Sequence, residues 1–307
     1  MTTSNKNTSL LVMDSNAPPP YLLRAPERNS SPFIFAAPHS GRYYPPDFRA
    51  RSVLDTSGLQ RSEDAFVDHL FEDVTKIGGA LLVATHARSY LDLNRAANEL
   101  DTTMFTPRLP PQKLNNSHRV KVGLGLIPRI IAEGVPIYKG PLPAREAAKR
   151  VDTVHTPYHR KLAQLLTDRL SQFGVAYLID CHSMPSENRN RQFSKRGPDI
   201  VLGDSWGGAC ERELTSQAEQ IFIDAGFRVR RNIPYSGGYS TVHYGNPAQN
   251  VHALQIEVNR AIYMDEARQT PLSDFQLVKD SLHSVCKILL ERTQQRLNLQ
   301  TIPLAAE

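Results

Sequence analysis

The feature that most constrains this chain is a set of short apolar runs, each of which stops at a group of polar residues. FIFAA (33–37) ends at Pro38-His39-Ser40-Gly41, and ALLVAT (80–85) leads into the segment ARSYLDLNR. VAYLIDC (175–181) meets His182-Ser183, and VHALQIEV (251–258) carries Glu257 near its end. A short apolar run bounded by Pro or Gly is the pattern of a buried strand entering a loop. Between these runs the period changes. Phe66, Leu70, Val74 and Ile77 predict a helix over 62–77, opened by Ser62-Glu63-Asp64 and ended by Gly78-Gly79. A long helix is expected over 145–173, reset near Thr156-Pro157, with further helices over 208–225 and 272–295. Strands are also expected at 199–203 and near 227–231. Strands alternating with helices imply an α/β domain, a mostly parallel mixed sheet flanked by helices.

The polar stretch 1–28, with Pro18-Pro19-Pro20, reads as an N-terminal tail, 29–295 as one catalytic domain and 296–307 as a C-terminal tail. Residues 103–145 are rich in Pro and Gly and read as mostly loop, a length that is usually functional or mobile inside a compact domain. Residues 236–246 read as a Gly-rich loop.

Composition removes several classes of function. With 40% apolar and 22% charged residues, the chain has enough material for a core without cross-links. Cys181, Cys210 and Cys286 form no C-x-x-C pair, which argues against a disulfide scaffold and a thiolate metal site. The net charge of +5 is spread along the chain without a basic block, so no nucleic-acid partner is expected. No segment approaches the roughly 18 apolar residues of a membrane span, and no signal peptide is expected. A cytoplasmic protein without a membrane partner is expected. Neither oligomeric state nor native metal is legible.

In open α/β sheets, ligands bind beyond the carboxyl ends of the strands. The chemistry-bearing residues collect there: His39 after the first strand; Arg88, Asp92, Asn94 and Arg95 after the second; Asp180 and His182 on the third; Glu257 on the last. Glu63 and Asp64 open the helix beside them. Two histidines and a carboxylate on separate loops are a donor set for a catalytic zinc with one position open to water. The alternative is that each histidine caps a strand end. Glu257 at the end of an apolar strand is costly to bury without a partner or a task. It is a candidate general base, or else an ion-pair partner of Arg260 or Arg95. Arg88 and Arg95 can hold carboxylates bidentately, or pair with Asp92 or Glu99.

The segments PHSGRYYP (38–45), EDAFVDHLF (63–71), RSYLDLNR (88–95), GVPIYKG (134–140), DCHSM (180–184), GGYSTVHYGNP (237–247) and LQIEVNRAIYMDE (254–266) resemble the N-formylglutamate amidohydrolase family, in that order. The match covers roughly residues 30 to 290. The resemblance implies a phosphorylase/hydrolase-like fold, similar to that of zinc carboxypeptidases. It implies one Zn2+ held by His39, His182 and Asp64, with Glu63 as the alternative acidic ligand, because a lone aspartate before a V/I-D-x-L stretch matches Asp64. Glu257 takes the place of the catalytic glutamate. Asn94 and Arg95 are similar to the pair that grips a substrate α-carboxylate, and Arg88 polarises the scissile carbonyl or binds a second carboxylate. Tyr239 and His243, on the Gly-rich loop, are candidate substrate contacts. The implied activity is hydrolysis of N-formylglutamate or a related small anionic N-acyl amino acid, in histidine degradation. A broader N-acyl-amino-acid deacylase, a carboxypeptidase-like peptidase and a non-catalytic carboxylate-binding protein are the alternatives.

Overall fold

In a computed structural model of the chain, residues 17–27, 30–131, 134–186 and 197–300 are described. The apolar runs are the strands of one seven-stranded sheet: β1 (Tyr21–Arg24), β2 (Phe33–Ala37), β3 (Ala80–Ala84), β4 (Ala176–Met184), β5 (Ile200–Gly203), β6 (Val229–Arg231) and β7 (Val251–Asn259). Their order is β1-β3-β2-β4-β7-β5-β6. β3, β2, β4 and β7 run parallel at the centre, while β1 and β5 join them antiparallel and β6 follows β5. The sheet is therefore mixed and mostly parallel, as the alternation of elements implied.

Central strands of such a sheet are buried on both faces, so they are apolar throughout rather than alternating. β2 and β3 are buried at every residue. Phe33, Phe35, Leu81, Ile179, Cys181 and Ile256 point to one face. There they meet α3 (Arg212–Asp224), through Leu214, Ala218, Ile221 and Phe222, and α5 (Phe275–Gln300), through Leu282, Val285 and Leu289. Those spacings place each apolar stripe on one side of its helix. Ile34, Ala36, Leu82, Leu178 and Ala253 point to the other face, toward Tyr158, Leu162, Leu165 and Leu166 of α2 (Thr156–Phe173). Each fully buried Leu or Phe side chain contributes about 1.5–3 kcal/mol.

α2 continues from α1 (Arg145–Arg150) through a π turn at Val151–His155, so the reset expected near Thr156-Pro157 is a widened turn within one helical rod. Proline offers no N–H to the preceding turn, and a π turn accommodates the missing bond.

Four boundaries differ from the sequence reading. Tyr21–Arg24, placed in the tail, pairs with β3; residues 1–16 lie outside those described. α5 continues past 295 to Gln300, into the stretch read as the C-terminal tail, whose residues 301–307 lie outside those described. The helix expected over 62–77 is only Val67–Leu70 followed by a 3-10 turn, Glu72–Ile77. Phe66 has φ 65°, a left-handed conformation no helix can pass through, so Ser62-Glu63-Asp64 is not an N-cap. The Gly-rich loop contains α4 (Tyr239–Tyr244). The segment 103–145 is mostly loop with short turns, but it packs down through Leu126, Ile127, Ile131, Ile137 and Leu142.

Candidate metal centre and active site

The parallel strands deliver their polar residues to one end and one face of the sheet. On β4, Asp180 and His182 are two apart and share the face opposite Ile179 and Cys181. β7 lies beside it in register, pairing Asp180 with Gln255 and His182 with Glu257. This four-residue polar patch continues a face that is apolar lower down, at Leu178 and Ala253.

Beyond the strand ends, His39 follows β2 and Asp64 is folded back to it, its amide donating to the His39 carbonyl at 3.1 Å. His39 Nδ1 and His182 Nδ1 converge on the same oxygen, Asp64 Oδ2, at 3.3 and 2.9 Å. Donor atoms of His39, Asp64 and His182 all lie within 4.8 Å of one another, and all three residues are buried.

The far side of each imidazole faces its own carboxylate. His39 Nε2 lies 2.7 Å from Asp92 Oδ1, and His182 Nε2 lies 3.1 Å from Asp180 Oδ2. A carboxylate oxygen only accepts, so Asp92 takes the His39 Nε2 proton and leaves the Nδ1 lone pair directed at the shared centre, while Asp180 stands beside His182 Nε2 as its charge partner. Asp180 is fully buried, and its oxygens have no regular hydrogen bond among the described residues. A buried carboxylate in that position has His182 as its task. Two nitrogen donors and one oxygen donor, backed in this way, fit a divalent cation of borderline softness. Glu63, the alternative ligand, turns elsewhere: it accepts from the Tyr44 hydroxyl, and burial pushes its carboxyl up to about 7.

Charged neighbours offset the burial of the carboxylates at this centre. Burial disfavours a charged Asp64, but the His182 and His39 imidazoles beside it keep its carboxyl well below the usual range. Arg260 adds a 2.9 Å bond to Asp64 Oδ1 and others to the Glu63 carbonyl and Ser183 Oγ. Burial likewise opposes the charge of Asp92, yet Arg88 and His39 hold it well below the usual range. Asp92 receives Arg88 Nε at 3.0 Å and the Asn94 amide at 2.8 Å. Arg88 thus forms the pair with Asp92 expected of a structural arginine, while 29% of its side chain stays open to the cavity.

Glu257 is not paired with Arg260 or Arg95. It accepts a 2.7 Å bond from Gln255 Nε2, and burial, only partly offset by His182 and Arg88, pushes its carboxyl up to about 7. A carboxyl poised there exchanges protons readily near neutrality.

These groups open into a cavity of about 320 Å3, lined also by Arg61, Arg95, Arg119 and the loop Pro234–Gly238. Asn94 is clamped: its Oδ1 accepts from the Ser240 amide at 2.8 Å and its Nδ2 lies 3.1 Å from His182 Nε2. Arg95 donates to the carbonyls of Asn94 and Leu124 at 2.7 and 3.0 Å. Gly238 is required here, since a Cβ would stand 2.1 Å from Asn94 Nδ2. Tyr239 and His243 are not among the cavity-lining side chains. They stack on each other on α4, and Tyr239 lies against His155 and His159. Tyr235, Ser236, Gly237 and Gly238 line the cavity instead.

Known proteins are similar to this chain over most of its length. A family model described as N-formylglutamate amidohydrolase matches residues 31–264. A protein of Pseudomonas aeruginosa named N-formylglutamate deformylase is 31% identical over 270 residues, covering 86% of this chain and 93% of its own. The chain belongs to the N-formylglutamate amidohydrolase family. A second family member of the same name, from Pseudomonas putida, is 30% identical over 76% of this chain and 82% of its own. The crystal structure of N-formylglutamate amidohydrolase from Ralstonia eutropha JMP134 superposes with a TM-score of 0.84 at 32% identity, covering 90% of this chain and 99% of that one. A gene product of Agrobacterium tumefaciens shares the fold, with a TM-score of 0.64 at 15% identity over 90% of this chain and 97% of its own.

Proposed function

We propose that this member of the family is a zinc-dependent amidohydrolase that converts N-formyl-L-glutamate and water to formate and glutamate. The observation that carries the reading is the buried His39–Asp64–His182 donor cluster beside Glu257 in an arginine-lined cavity. The names of the Pseudomonas and Ralstonia relatives support the substrate.

His39 Nδ1, His182 Nδ1 and one Asp64 oxygen would hold the ion. When bound, zinc supplies Lewis-acid polarisation and a water pKa lowered to roughly 7. The chain's own residues do the rest. Glu257 takes a proton from the attacking water and delivers it to the departing nitrogen, so one carboxyl serves both halves of the hydrolysis. Arg88, held at its Nε by Asp92, faces the developing oxyanion as a fixed cation. Asp92 and Asp180 hold the two imidazoles in the tautomer that binds. Arg95, anchored on two carbonyls, receives the α-carboxylate and sets the amide against Glu257. Asn94, whose Oδ1 accepts from the Ser240 amide and whose backbone carbonyl accepts from Arg95, orients Arg95 and the Ser240 turn. A cytoplasmic location belongs to the same proposal; no helix among the described residues is long and apolar enough to cross a membrane.

A panel of N-formyl-L-glutamate, N-acetyl-L-glutamate and a glutamyl dipeptide, assayed with zinc-loaded protein, tests the assignment. Formate release at least about a hundredfold faster than the other cleavages is expected, a difference of roughly 3 kcal/mol in the barrier. Preferred cleavage of the acetyl or peptide bond would replace this substrate with a broader deacylase or peptidase.

A further inference from the structure

The cavity holds more positive charge than the chemistry above uses. Arg119 sits on the short helical turn His118–Lys121, outside the sheet, and lines the same cavity as Arg88 and Arg95. Its guanidinium makes no hydrogen bond or ion pair among the described residues. Its neighbour Arg129, by contrast, pairs with Asp101 at 3.4 Å.

The carboxylates of this region are engaged with other groups. Glu99 accepts from Ser117 Oγ at 2.6 Å and from the Ala96 amide at 2.8 Å. Asp92 is engaged with His39, Arg88 and the Asn94 amide. Arg119 is also near enough to Arg95 for the two cations to repel: burial first, and then the charges of Arg88 and Arg119, act to lower the Arg95 pKa. Like charges brought to one cavity are stabilised by an anion between them. The wall beside them is apolar, with Leu124, Ile130 and Ile131. A ligand matching this end therefore has a short hydrocarbon stem and a terminal anion.

We propose that Arg119 is the specificity-determining residue of the site, binding the side-chain carboxylate of an acidic N-acyl amino acid whose methylenes lie on Leu124 and Ile130. The assignment deepens the proposed function and rests on it for the identity of the substrate. Arg119 acts in ground-state recognition, two or more bonds from the reacting amide, so its loss raises KM more than it lowers kcat.

The test compares wild type, Arg119→Gln and Arg119→Lys on N-formyl-L-glutamate and its neutral isostere N-formyl-L-glutamine, with matched thermal midpoints as the check on folding. Arg119→Gln is expected to lower kcat/KM for the acid about ten- to a hundredfold, the scale of one charge-assisted hydrogen bond, and to leave the glutamine substrate within about twofold. Arg119→Lys recovers part of the loss. Equal losses on both substrates, or no loss on either, overturn the proposal. Calorimetric binding of glutarate, a dicarboxylate that cannot be hydrolysed, gives a readout independent of turnover. If wild type releases no formate but glutarate binding weakens in Arg119→Gln, the substrate reading fails and the anion site stands. Equal glutarate affinity in the two proteins removes the site.

Discussion

Replacing Glu257 by Gln separates its catalytic role from a structural one. The amide is isosteric, and its oxygen can accept the bond that Gln255 Nε2 now gives to Glu257 at 2.7 Å. What disappears is the exchangeable proton. General acid–base catalysis by one positioned group is worth about 10²–10⁴ in rate, so kcat should fall by that factor, a barrier increase of roughly 3–5 kcal/mol. Stability should move the other way. Burial raises this carboxyl from 4.5 to about 7. A carboxyl raised in the folded state contributes most below its unfolded pKa and loses that contribution as pH rises through the folded value. At pH 8 the metal-free wild type therefore carries a buried charge costing on the order of a few kcal/mol, which the amide removes. Three readouts on one variant decide the matter: formate release, zinc per chain and urea midpoint at pH 8. Activity lost with zinc retained and a midpoint equal or higher is expected. Zinc lost in parallel with activity would make Glu257 a ligand, and a lowered midpoint would make it a structural ion-pair partner.

Asp180→Asn, measured by competition with a chromophoric chelator, should weaken zinc binding about ten- to a hundredfold, the usual effect of removing a carboxylate behind a metal-binding imidazole. Unchanged affinity would show that His182 needs no such partner. Arg150 is fully buried, donates to the Tyr90 carbonyl and the Tyr138 hydroxyl at 2.8 and 2.9 Å, and lies over the Tyr90 ring at 4.1 Å. Arg150→Met strands those acceptors and Glu146, and should cost about 3–5 kcal/mol in a urea titration; a cost below about 1 kcal/mol would refute its bracing of the 88–95 segment. Burial lowers His86 to about 4, and His159, depressed by burial and by His155, to about 3. Both stay neutral when folded, so their contribution is full above the unfolded pKa of about 6.5 and is lost as pH falls toward 4. Unfolding at pH 5 should take up protons at these sites, and stability that is flat between pH 7 and 5 would contradict it.

The parts of this protein legible in the sequence are those encoded locally. A parallel strand buried on both faces must be apolar along its length, so FIFAA, ALLVA and the start of VHALQIEV mark themselves. Where such a run turns polar, at His39, Asp180-Cys181-His182 and Glu257, the change itself points to the site. What depends on contacts between distant segments left no such trace. Arg260 reaches Asp64 across 196 positions, whereas the carboxylate nearest to it in sequence is Glu257. Gln255 pairs with Asp180 only through the register of β4 and β7. Arg119 lies in a stretch without periodicity, and only the folded chain brings it to the cavity. The helical spacing of 62–77 was a true local signal, overridden when Phe66 took a left-handed conformation and Asp64 turned to His39. Tyr239 and His243 show the converse: their segment is at the site, but α4 stacks them on each other, with Tyr239 against His155 and His159.

The central claim is that His39, Asp64 and His182 form a catalytic metal centre for deformylation. The most direct measurement strips the protein with a chelator, titrates zinc back, and follows formate release from N-formyl-L-glutamate alongside metal content by elemental analysis. Activity that rises linearly and stops at about one zinc per chain, and is absent in His182→Ala, is the expected result. Full formate release from metal-free protein, or zinc bound at that stoichiometry with none released, would contradict it.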